Sequence, residues 1–295
     1  MNPDVDMHQP YLLPPATDES SFTVEGKPII GMIHVGALPG TPGSVSSVAE
    51  IVEQARIEAR IYAECGVKCV MVENMHDAPY LSGGVGPEIT AAMTLVAAAV
   101  KLECDLPVGI QILAGADFEA LAVAHSAGLD FIRAECFAFA HVADEGLMQS
   151  NAAKLLRYRK QIGATGVQVW ADIKKKHSAH AITADISIGA MAEALEFMGA
   201  DAVIVTGPVT GREPKLAEIK EARERSNLPV FVGSGMRIEN LSQFLTVADG
   251  VIIGSAFKRD GNWRESPDPG RIRSLVQRAA DILAFEAQAG PLFRV

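Results

Sequence analysis

Short apolar runs recur along the chain at regular intervals, and each is followed by a segment of helical periodicity. Runs of this length that are rich in β-branched residues are typical of strands buried on both faces of a parallel sheet. The pattern predicts eight strands, at residues 28–35, 67–74, 107–113, 130–135, 167–174, 201–207, 229–235 and 249–256.

The intervening segments place apolar residues three or four positions apart, which predicts helices with one buried face. The first helix is expected to begin after Ser47, which has the spacing of a capping box with Glu50. Further helices are predicted at 88–103, 117–127, 148–162, 187–198, 214–226 and 238–246, with a last helix around 272–283.

This alternation of strands and helices argues for a parallel sheet. Eight units in about 260 residues fit a closed barrel better than an open doubly wound sheet. The first strand is not followed by G-x-G-x-x-G, which weakens the dinucleotide-binding alternative. We therefore predict an α/β fold, a single-domain (β/α)8 TIM barrel over residues 27–290, preceded by a flexible Pro-rich arm at residues 1–26.

Composition narrows the functional classes. The formal net charge of -10 argues against a nucleic-acid polymer as ligand, because such binders present a basic face. We find neither an apolar run long enough to span a bilayer nor the apolar segment of a signal peptide, so a cytoplasmic protein is expected. The four cysteines lack C-x-x-C spacing and are expected to be reduced, buried thiols.

The chemistry of such a barrel lies at the carboxyl ends of its strands, where side chains alternate between the interior and the helices. In the fifth predicted strand, Val169 and Ala171 should face the helices, while Asp172 and Lys174 should face the mouth of the barrel. The same alternation sends Gln111, Arg133 and Glu135 inward; Glu73 and Asn74 both end the second strand, and parity leaves open which of them faces in.

Buried charges cost several kcal/mol per ion unless they are paired. A charged barrel mouth is therefore either a structural ion-pair layer or a functional cluster, and at this end of the fold we favour function. The candidate catalytic residues are Glu73, Arg133, Glu135, Asp172 and Lys174.

Glycines and hydroxyl residues end the last three predicted strands. In (β/α)8 enzymes the loops after strands seven and eight commonly bind phosphate through backbone N–H groups, and glycine lets the backbone approach the anion. A side chain at Gly235 is expected to block that approach. The candidate phosphate-binding residues are Gly207, Gly233, Ser234, Gly235, Gly254 and Ser255.

The stretch WADIKKKHSAHAIT, at 170–183, is a cationic loop in an acidic protein. It leaves the fifth strand at the mouth of the barrel, where Lys176, His177 and His180 are predicted to contact an anion or close over it. Spacing indicates no third ligand for the H-x-x-H pair, so we predict no metal site. The alternative is a solvated basic loop.

Six segments stand in order along the chain: VMVENMHDAPY, DFIRAE, WADIKKKHSAH, AVIVTGPVTG, VFVGSGMRIENL and DGVIIGSAFKRDGNW. Together they resemble the BtpA/SgcQ family, from about Lys27 to the last helix. The resemblance implies a barrel related to the ribulose-phosphate-binding barrels, with a phosphate grip at Gly233–Gly235 and Gly254–Ser255 like that of the tryptophan synthase α subunit. The cyanobacterial namesake of the family is implicated in photosystem I accumulation, and genes of SgcQ-like members lie among sugar-metabolism genes. The resemblance implies no catalytic residues that could be transferred to this chain.

The leading hypothesis is an enzyme acting on a small phosphorylated metabolite, sugar- or nucleotide-like. Asp172 or Glu135 would be its acid/base, with Lys174 and Arg133 as neighbours; isomerase, epimerase or lyase chemistry suits this set. A Schiff base on Lys174 is a less favoured variant. One alternative is a non-catalytic assembly or stability factor, and another is a metal-dependent hydrolase using Asp172, Glu73 and His177 or His180. The sequence indicates no particular cofactor and leaves self-association open.

Overall fold

Eight parallel strands close into a barrel in the computed structural model, which describes residues 26–289. Together with three short strands outside the barrel, the strands in chain order are β1 (Ile29–His34), β2 (Cys69–Glu73), β3 (Val108–Gln111), β4 (Phe131–Ala134), β5 (Ala140–Ala143), β6 (Gly146–Gln149), β7 (Gln168–Ile173), β8 (Ser178–Ala179), β9 (Ala202–Val205), β10 (Val230–Val232) and β11 (Gly250–Ile253). The barrel runs in the order β1-β2-β3-β4-β7-β9-β10-β11 and closes by pairing β11 with β1.

Helices cover the outside of the barrel: α1 (Val48–Glu64), α2 (Pro87–Glu103), α3 (Asp117–Ala127), α4 (Ala152–Gln161), α5 (Ile188–Phe197), α6 (Leu216–Arg225), α7 (Leu241–Leu245) and α8 (Pro269–Ala289). Three short 3-10 helices lie at Ala181–Thr183, Ser255–Phe257 and Arg259–Gly261. The predicted capping box is present, since Ser47 and Glu50 bond each other reciprocally at the start of α1. No helix in the described range is long and apolar enough to cross a membrane.

The predicted barrel is confirmed, with each of its eight strands inside a predicted run. One helix differs: the expected helix at 148–162 starts only at Ala152, because residues 140–149 form an antiparallel hairpin instead. Residues 1–25 of the predicted Pro-rich arm, and residue 290 at the predicted end of the barrel domain, lie outside the described residues.

Aromatic rings fill the lower interior of the barrel. The Trp170 ring stacks on Phe131 at a centroid distance of 3.8 Å and on Phe231 at 4.2 Å, so three strands contribute to one column. Glycine makes room for this column, because a Cβ at Gly109 would lie 2.2 Å from the Phe131 ring and one at Gly250 would lie 2.7 Å from Phe231. The interior below the mouth is therefore a packed core.

A second apolar layer lies between the strands and the helices. Val169 and Ala171 of β7 belong to this layer, whereas Trp170 belongs to the interior and Asp172, one pleat above it, pairs with Arg133. The alternation expected for this strand is therefore observed from Val169 to Asp172. The four cysteines are all buried, and none of them forms a disulfide.

A small antiparallel sheet sits at the mouth of the barrel. β5 and β6 form a hairpin in the loop after β4, and β8, from the loop after β7, pairs with the other side of β5. The cationic segment at 174–180 is therefore partly a strand. Two loops from neighbouring barrel strands are joined by this sheet into one wall of the mouth.

Candidate functional site

A cavity of about 190 Å³ opens at the carboxyl end of the barrel. One side is formed by side chains of β1, β2, β4 and the loop after β7: His34, Glu73, Arg133 and Lys176. The other side is formed by the loops after β10 and β11, which line the cavity with residues 233–237 and 254–256. The polar side chains of the first group thus lie opposite the two loops across the cavity.

Two glycines keep this cavity open. Gly233 and Gly254 occupy inward positions just beyond β10 and β11, where the other strands carry His34, Glu73 and Arg133. A Cβ at Gly233 would lie 2.6 Å from Ile204 and 3.3 Å from the Arg133 guanidinium, and one at Gly254 would lie 3.3 Å from the His34 ring. Side chains at these positions would fill the space that the cavity occupies.

Arg133 and Asp172 form a buried, bidentate ion pair. The Arg133 Nε donates to Asp172 Oδ1 at 3.0 Å, and its Nη2 donates to Oδ2 at 3.1 Å. The side chains are 3% and 0% exposed, so neither charge is solvated by bulk water. Both Asp172 oxygens are occupied, and this fixes the plane of the guanidinium that faces the cavity.

Glu135 lies beside this pair but points to a different place. Gln111 Nε2 donates to Glu135 Oε1 at 2.9 Å, and Lys175 Nζ lies 3.1 Å from Oε2. Lys175 also lies 3.4 Å from Glu145 of the hairpin. Burial raises the pKa of Glu135 to about 7, although the positive charge of Lys175 acts to lower it. Glu135 lines a separate cavity of about 20 Å³.

Glu73 and Lys176 face the main cavity without a charged partner. His34 Nε2 lies 3.7 Å from Glu73. Burial lowers the pKa of His34 to about 3, so this ring is neutral and gives Glu73 no positive partner. Within the described chain, Lys176 Nζ has no carboxylate within 4.0 Å, and its pKa is lowered by burial. Strand alternation did not decide whether Glu73 or Asn74 faces the interior. Glu73 faces inward, while Asn74 donates a hydrogen bond to Asp77 and accepts one from the Leu113 amide.

Lys174 does not line the main cavity but lines the smaller one, together with Glu135 and Asp172. This residue has a φ of +46°, in the left-handed region, so the alternation of β7 stops before it. The Lys174 charge instead helps to lower the pKa of Glu221 on α6, after the larger effects of hydrogen bonds from Ser187 and Gly189. Two residues later the chain turns back, and Lys176 occupies the cavity in the place expected for Lys174.

His177 and His180 form hydrogen bonds that stabilise the 174–180 loop. His177 Nε2 accepts a hydrogen bond from the Thr210 amide at 3.2 Å, which ties the 174–180 segment to the loop after β9. His180 Nε2 donates to the Lys175 carbonyl at 3.0 Å. Neither histidine lines the main cavity. Over residues 26–289, His, Cys, Asp and Glu side chains form no group of three or more that would hold a metal ion.

Free backbone amides line the cavity at the predicted phosphate position. In the described chain, the amides of Ser234, Gly235 and Met236 have no acceptor. Ser255 and Ala256 open a 3-10 helix, and their amides are equally free. Five residues with free amides, on two neighbouring loops, therefore line one cavity. Free amides of this kind bind phosphate at helix N-termini and in backbone nests.

Gly207 and Gly235 both pack closely against residues 212–213 of the loop after β9. The Gly207 amide donates to Ser234 Oγ at 2.8 Å, and that hydroxyl donates to the Arg212 carbonyl at 3.0 Å. Gly235 has a φ of +75°, and a Cβ there would lie 2.2 Å from the Glu213 amide nitrogen. A side chain at Gly235 would strike the loop after β9, and the expectation that it would also block an anion stays a prediction.

Three ionisable residues of the cavity were not predicted. His34 follows from the alternation in β1, because Ile30 and Met32 face inward, and that signal was available in the sequence. Arg237 and Arg271 line the rim; Arg237 pairs with Glu213 at 3.1 Å, and Arg271 Nε donates to the Ala256 carbonyl at 2.9 Å. Both arginines come from irregular or distant segments, where no periodicity indicates direction.

The depressed pKa of His34 predicts a pH effect on stability. Folded His34 stays neutral down to about pH 3, whereas the unfolded chain takes up a proton below its ordinary value of 6.5. Stability should therefore fall as the pH drops through this window, by up to about 1.4 kcal/mol per pH unit for this one group. His34→Gln keeps a donor for the Trp263 carbonyl and should show a shallower loss in urea titrations between about pH 4 and about pH 7. Parallel curves for both proteins would contradict this assignment.

Known proteins resemble this chain over most of its length. The sequence profile described as the BtpA family matches residues 25–281. An uncharacterized mitochondrial protein of Caenorhabditis elegans is 45% identical over 254 residues, which cover 84% of this chain and 91% of its own length. The photosystem I biogenesis protein BtpA of Synechocystis is 34% identical, with 86% of this chain and 88% of that protein covered.

Solved structures share the barrel. (S)-3-O-geranylgeranylglyceryl phosphate synthase from Thermoplasma acidophilum, solved in complex with sn-glycerol-1-phosphate, aligns with a TM-score of 0.57. The alignment covers 87% of this chain and 94% of the synthase at 14% sequence identity. At this identity the likeness shows a common fold alone.

Proposed function

The chain belongs to the BtpA family, and from this premise we propose that it is an enzyme that binds a small phosphorylated metabolite, sugar- or nucleotide-like, and moves protons on it. The cavity carries this proposal: five free amides border one side, and Glu73 and Lys176 face the other. The barrel neighbour solved with sn-glycerol-1-phosphate supports the same ligand class.

The phosphate would bind at the amides of Ser234, Gly235, Met236, Ser255 and Ala256. Each N–H offers a hydrogen bond to an anionic oxygen, which is stronger than a bond between neutral groups. Arg237 and Arg271 at the rim add positive potential on the path of an incoming anion. The carbon skeleton of the metabolite would then extend inward, toward Glu73 and Arg133.

Glu73 replaces Asp172 and Glu135 as the acid/base in this proposal. Both Asp172 oxygens accept from Arg133, and Glu135 opens on the smaller cavity, so neither carboxylate meets the ligand space directly. Glu73 lines the main cavity, and its closest ring, His34, is neutral. Arg133, held by Asp172, would stabilise negative charge that develops on a substrate oxygen. Isomerase, epimerase and lyase reactions all need this pairing of a base and an oxyanion stabiliser.

Thermal unfolding tests the phosphate site. Phosphorylated three- to six-carbon sugars and nucleotides should stabilise the folded protein by about 2.7 kcal/mol at a hundredfold excess over Kd, whereas their dephosphorylated forms should not. Ser255→Asp should abolish this stabilisation by charge repulsion, since the Ser255 side chain has no hydrogen-bond partner within residues 26–289 and its loss should leave the fold intact.

Ser255→Asn is the matched control, because it has the same shape as the aspartate but no charge. It should retain the stabilisation of the wild type. If neither plain phosphate nor any phosphorylated compound of the panel stabilises the wild type, the phosphate site is refuted. The second candidate function, a non-catalytic assembly factor as the name of the Synechocystis relative indicates, would then lead.

Three further expectations concern metal-dependent hydrolysis, cellular location and self-association. The metal-dependent hydrolase loses support, because Asp172, His177 and His180 are each engaged by other groups of the protein. A cytoplasmic location stays part of the proposal, and cell fractionation decides it, since the C. elegans relative is named as mitochondrial. Self-association is left to measurement by light scattering.

A further inference from the structure

We propose that Lys176 is a covalent nucleophile of this site: its amine condenses with the aldehyde or ketone group of a phosphorylated carbonyl compound to form an imine. The inference rests on the proposed function and narrows its substrate to metabolites that carry both a phosphate and a carbonyl group. It moves the role considered for Lys174 to the lysine that the fold places in the cavity.

Within residues 26–289, Lys176 differs from the buried Lys175 and Lys258 at this end of the barrel in having no hydrogen-bond or ion-pair acceptor. Lys175 lies within 3.4 Å of two carboxylates, Glu135 and Glu145. Lys258 lies 2.6 Å from Glu58. In the described part of the chain, Lys176 Nζ makes neither a hydrogen bond nor an ion pair, although Lys176 lines the main cavity. An amine bound to carboxylates stays protonated and structural, whereas an amine without them is free to react.

The loop holds Lys176 in place from both sides. Lys174 and His177 both have positive φ angles, and these two turns bring residue 176 over the cavity. The Lys176 amide donates to Thr206 Oγ1 at 3.2 Å, and β8 follows immediately in the small sheet. A nucleophile on a backbone fixed in this way needs little reorganisation before it attacks.

The electrostatics of the cavity favour the neutral amine. Burial lowers the pKa of Lys176 against the opposing charge of Glu73, and the positive charge of Arg133 lowers it further. Only the unprotonated amine attacks a carbonyl, so a depressed pKa raises the reactive fraction near neutral pH. Buried catalytic lysines commonly obtain their reactivity in this way.

The condensation balances with groups already in the cavity. The Nζ lone pair forms a bond to the carbonyl carbon, and the π pair of the carbonyl moves to oxygen, which takes up a proton. The proton taken up by this oxygen is one that the amine gives up. An acid such as Glu73 then delivers a second proton, the oxygen leaves as water, and a protonated C=N bond remains. The protonated imine withdraws electrons from the neighbouring carbon, so Glu73 can remove its proton as base.

Borohydride trapping tests the inference. The wild-type protein is incubated with a panel of phosphorylated aldehydes and ketones that includes dihydroxyacetone phosphate, and sodium borohydride then reduces any imine to a stable secondary amine. Intact-mass analysis should show one adduct per chain, and peptide mapping should place it on Lys176. Dihydroxyacetone, which lacks the phosphate, should label at least about tenfold less, because it lacks the binding energy of the amide cradle.

Two variants complete the design. Lys176→Arg keeps the positive charge but cannot form the imine, so it should give no adduct. Lys174→Arg changes a neighbouring lysine outside the cavity and should be labelled like the wild type. Dihydroxyacetone phosphate should still stabilise Lys176→Arg against heat, since the amides that hold the phosphate are unchanged.

The outcomes separate this inference from the proposed function. If phosphorylated carbonyl compounds stabilise the protein but no member of the panel leaves an adduct on Lys176, the covalent role is wrong and the phosphate site stands. If they neither stabilise nor label the protein, the covalent role is wrong, and both proposals fail if nucleotides and plain phosphate do not stabilise it either. Adducts spread over surface lysines and unchanged in Lys176→Arg also overturn the covalent role.

Discussion

Replacing Arg133 by methionine should lower the free energy of unfolding by about 3–5 kcal/mol, because it leaves the Asp172 carboxylate buried without a counter-charge. Both hydrogen bonds of the pair, at 3.0 and 3.1 Å, are lost at once. Asp172 is fully buried, so water cannot replace the guanidinium without opening the mouth of the barrel. Urea unfolding at neutral pH, followed by circular dichroism, measures the effect.

The double variant Arg133→Met/Asp172→Leu is the control for this prediction. It removes both charges together, and buried pairs replaced by apolar groups of similar size often lose little stability. It should therefore lie within about 2 kcal/mol of the wild type and be more stable than Arg133→Met alone. A cost below about 1 kcal/mol for Arg133→Met would mean that Asp172 is solvated or that the pair does not form.

Trp170→Ala should cost about 3–5 kcal/mol, because it empties the middle of the aromatic column in the barrel. The Trp170 ring contacts Phe131 on one face and Phe231 on the other, at 3.8 and 4.2 Å, and neither ring can move into the space without breaking its own packing. Since the substitution also removes a fluorophore, far-ultraviolet circular dichroism is the suitable probe of urea unfolding.

Two comparisons calibrate that loss. Trp170→Phe keeps a ring in the column and should cost clearly less than the alanine variant. Phe197→Ala removes an aromatic ring that is 89% exposed on α5, and it should change stability by no more than about 0.5 kcal/mol. Equal losses for Trp170→Ala and Phe197→Ala would show that the column does not stabilise the barrel.

The barrel itself follows from local regularities that a sequence displays. Period-two alternation and strand length come from backbone geometry, so the inward positions of Gln111, Arg133 and Asp172 could be predicted without coordinates. The alternation holds only while the backbone stays extended. It stops at Lys174, whose left-handed conformation has no signature in a lysine, and the prediction for that side chain therefore stops being valid there.

The hairpin and the cavity show a second limit of prediction from sequence. Residues 140–149 pair with each other as a local hairpin, and β5 gains a second partner from the loop after β7. This second, long-range pairing is not visible in a short segment read alone. The phosphate-binding surface consists largely of backbone amides, which every residue except proline possesses. Glycines indicated which loops would carry it, but the residues whose amides are free, Met236 and Ala256 among them, have no distinguishing side chain.

The pairing of β5 with β8 has a further meaning for how this barrel can change. Loops that follow different strands of a barrel usually accept insertions and substitutions one at a time, because each crosses the surface alone. Here the hairpin after β4 and the lysine-bearing segment after β7 share a hydrogen-bonded register, and Lys175 adds an ion pair to Glu145 across it. An insertion in one segment shifts the register of the other and displaces Lys176 with it. We therefore expect the two loops to change together.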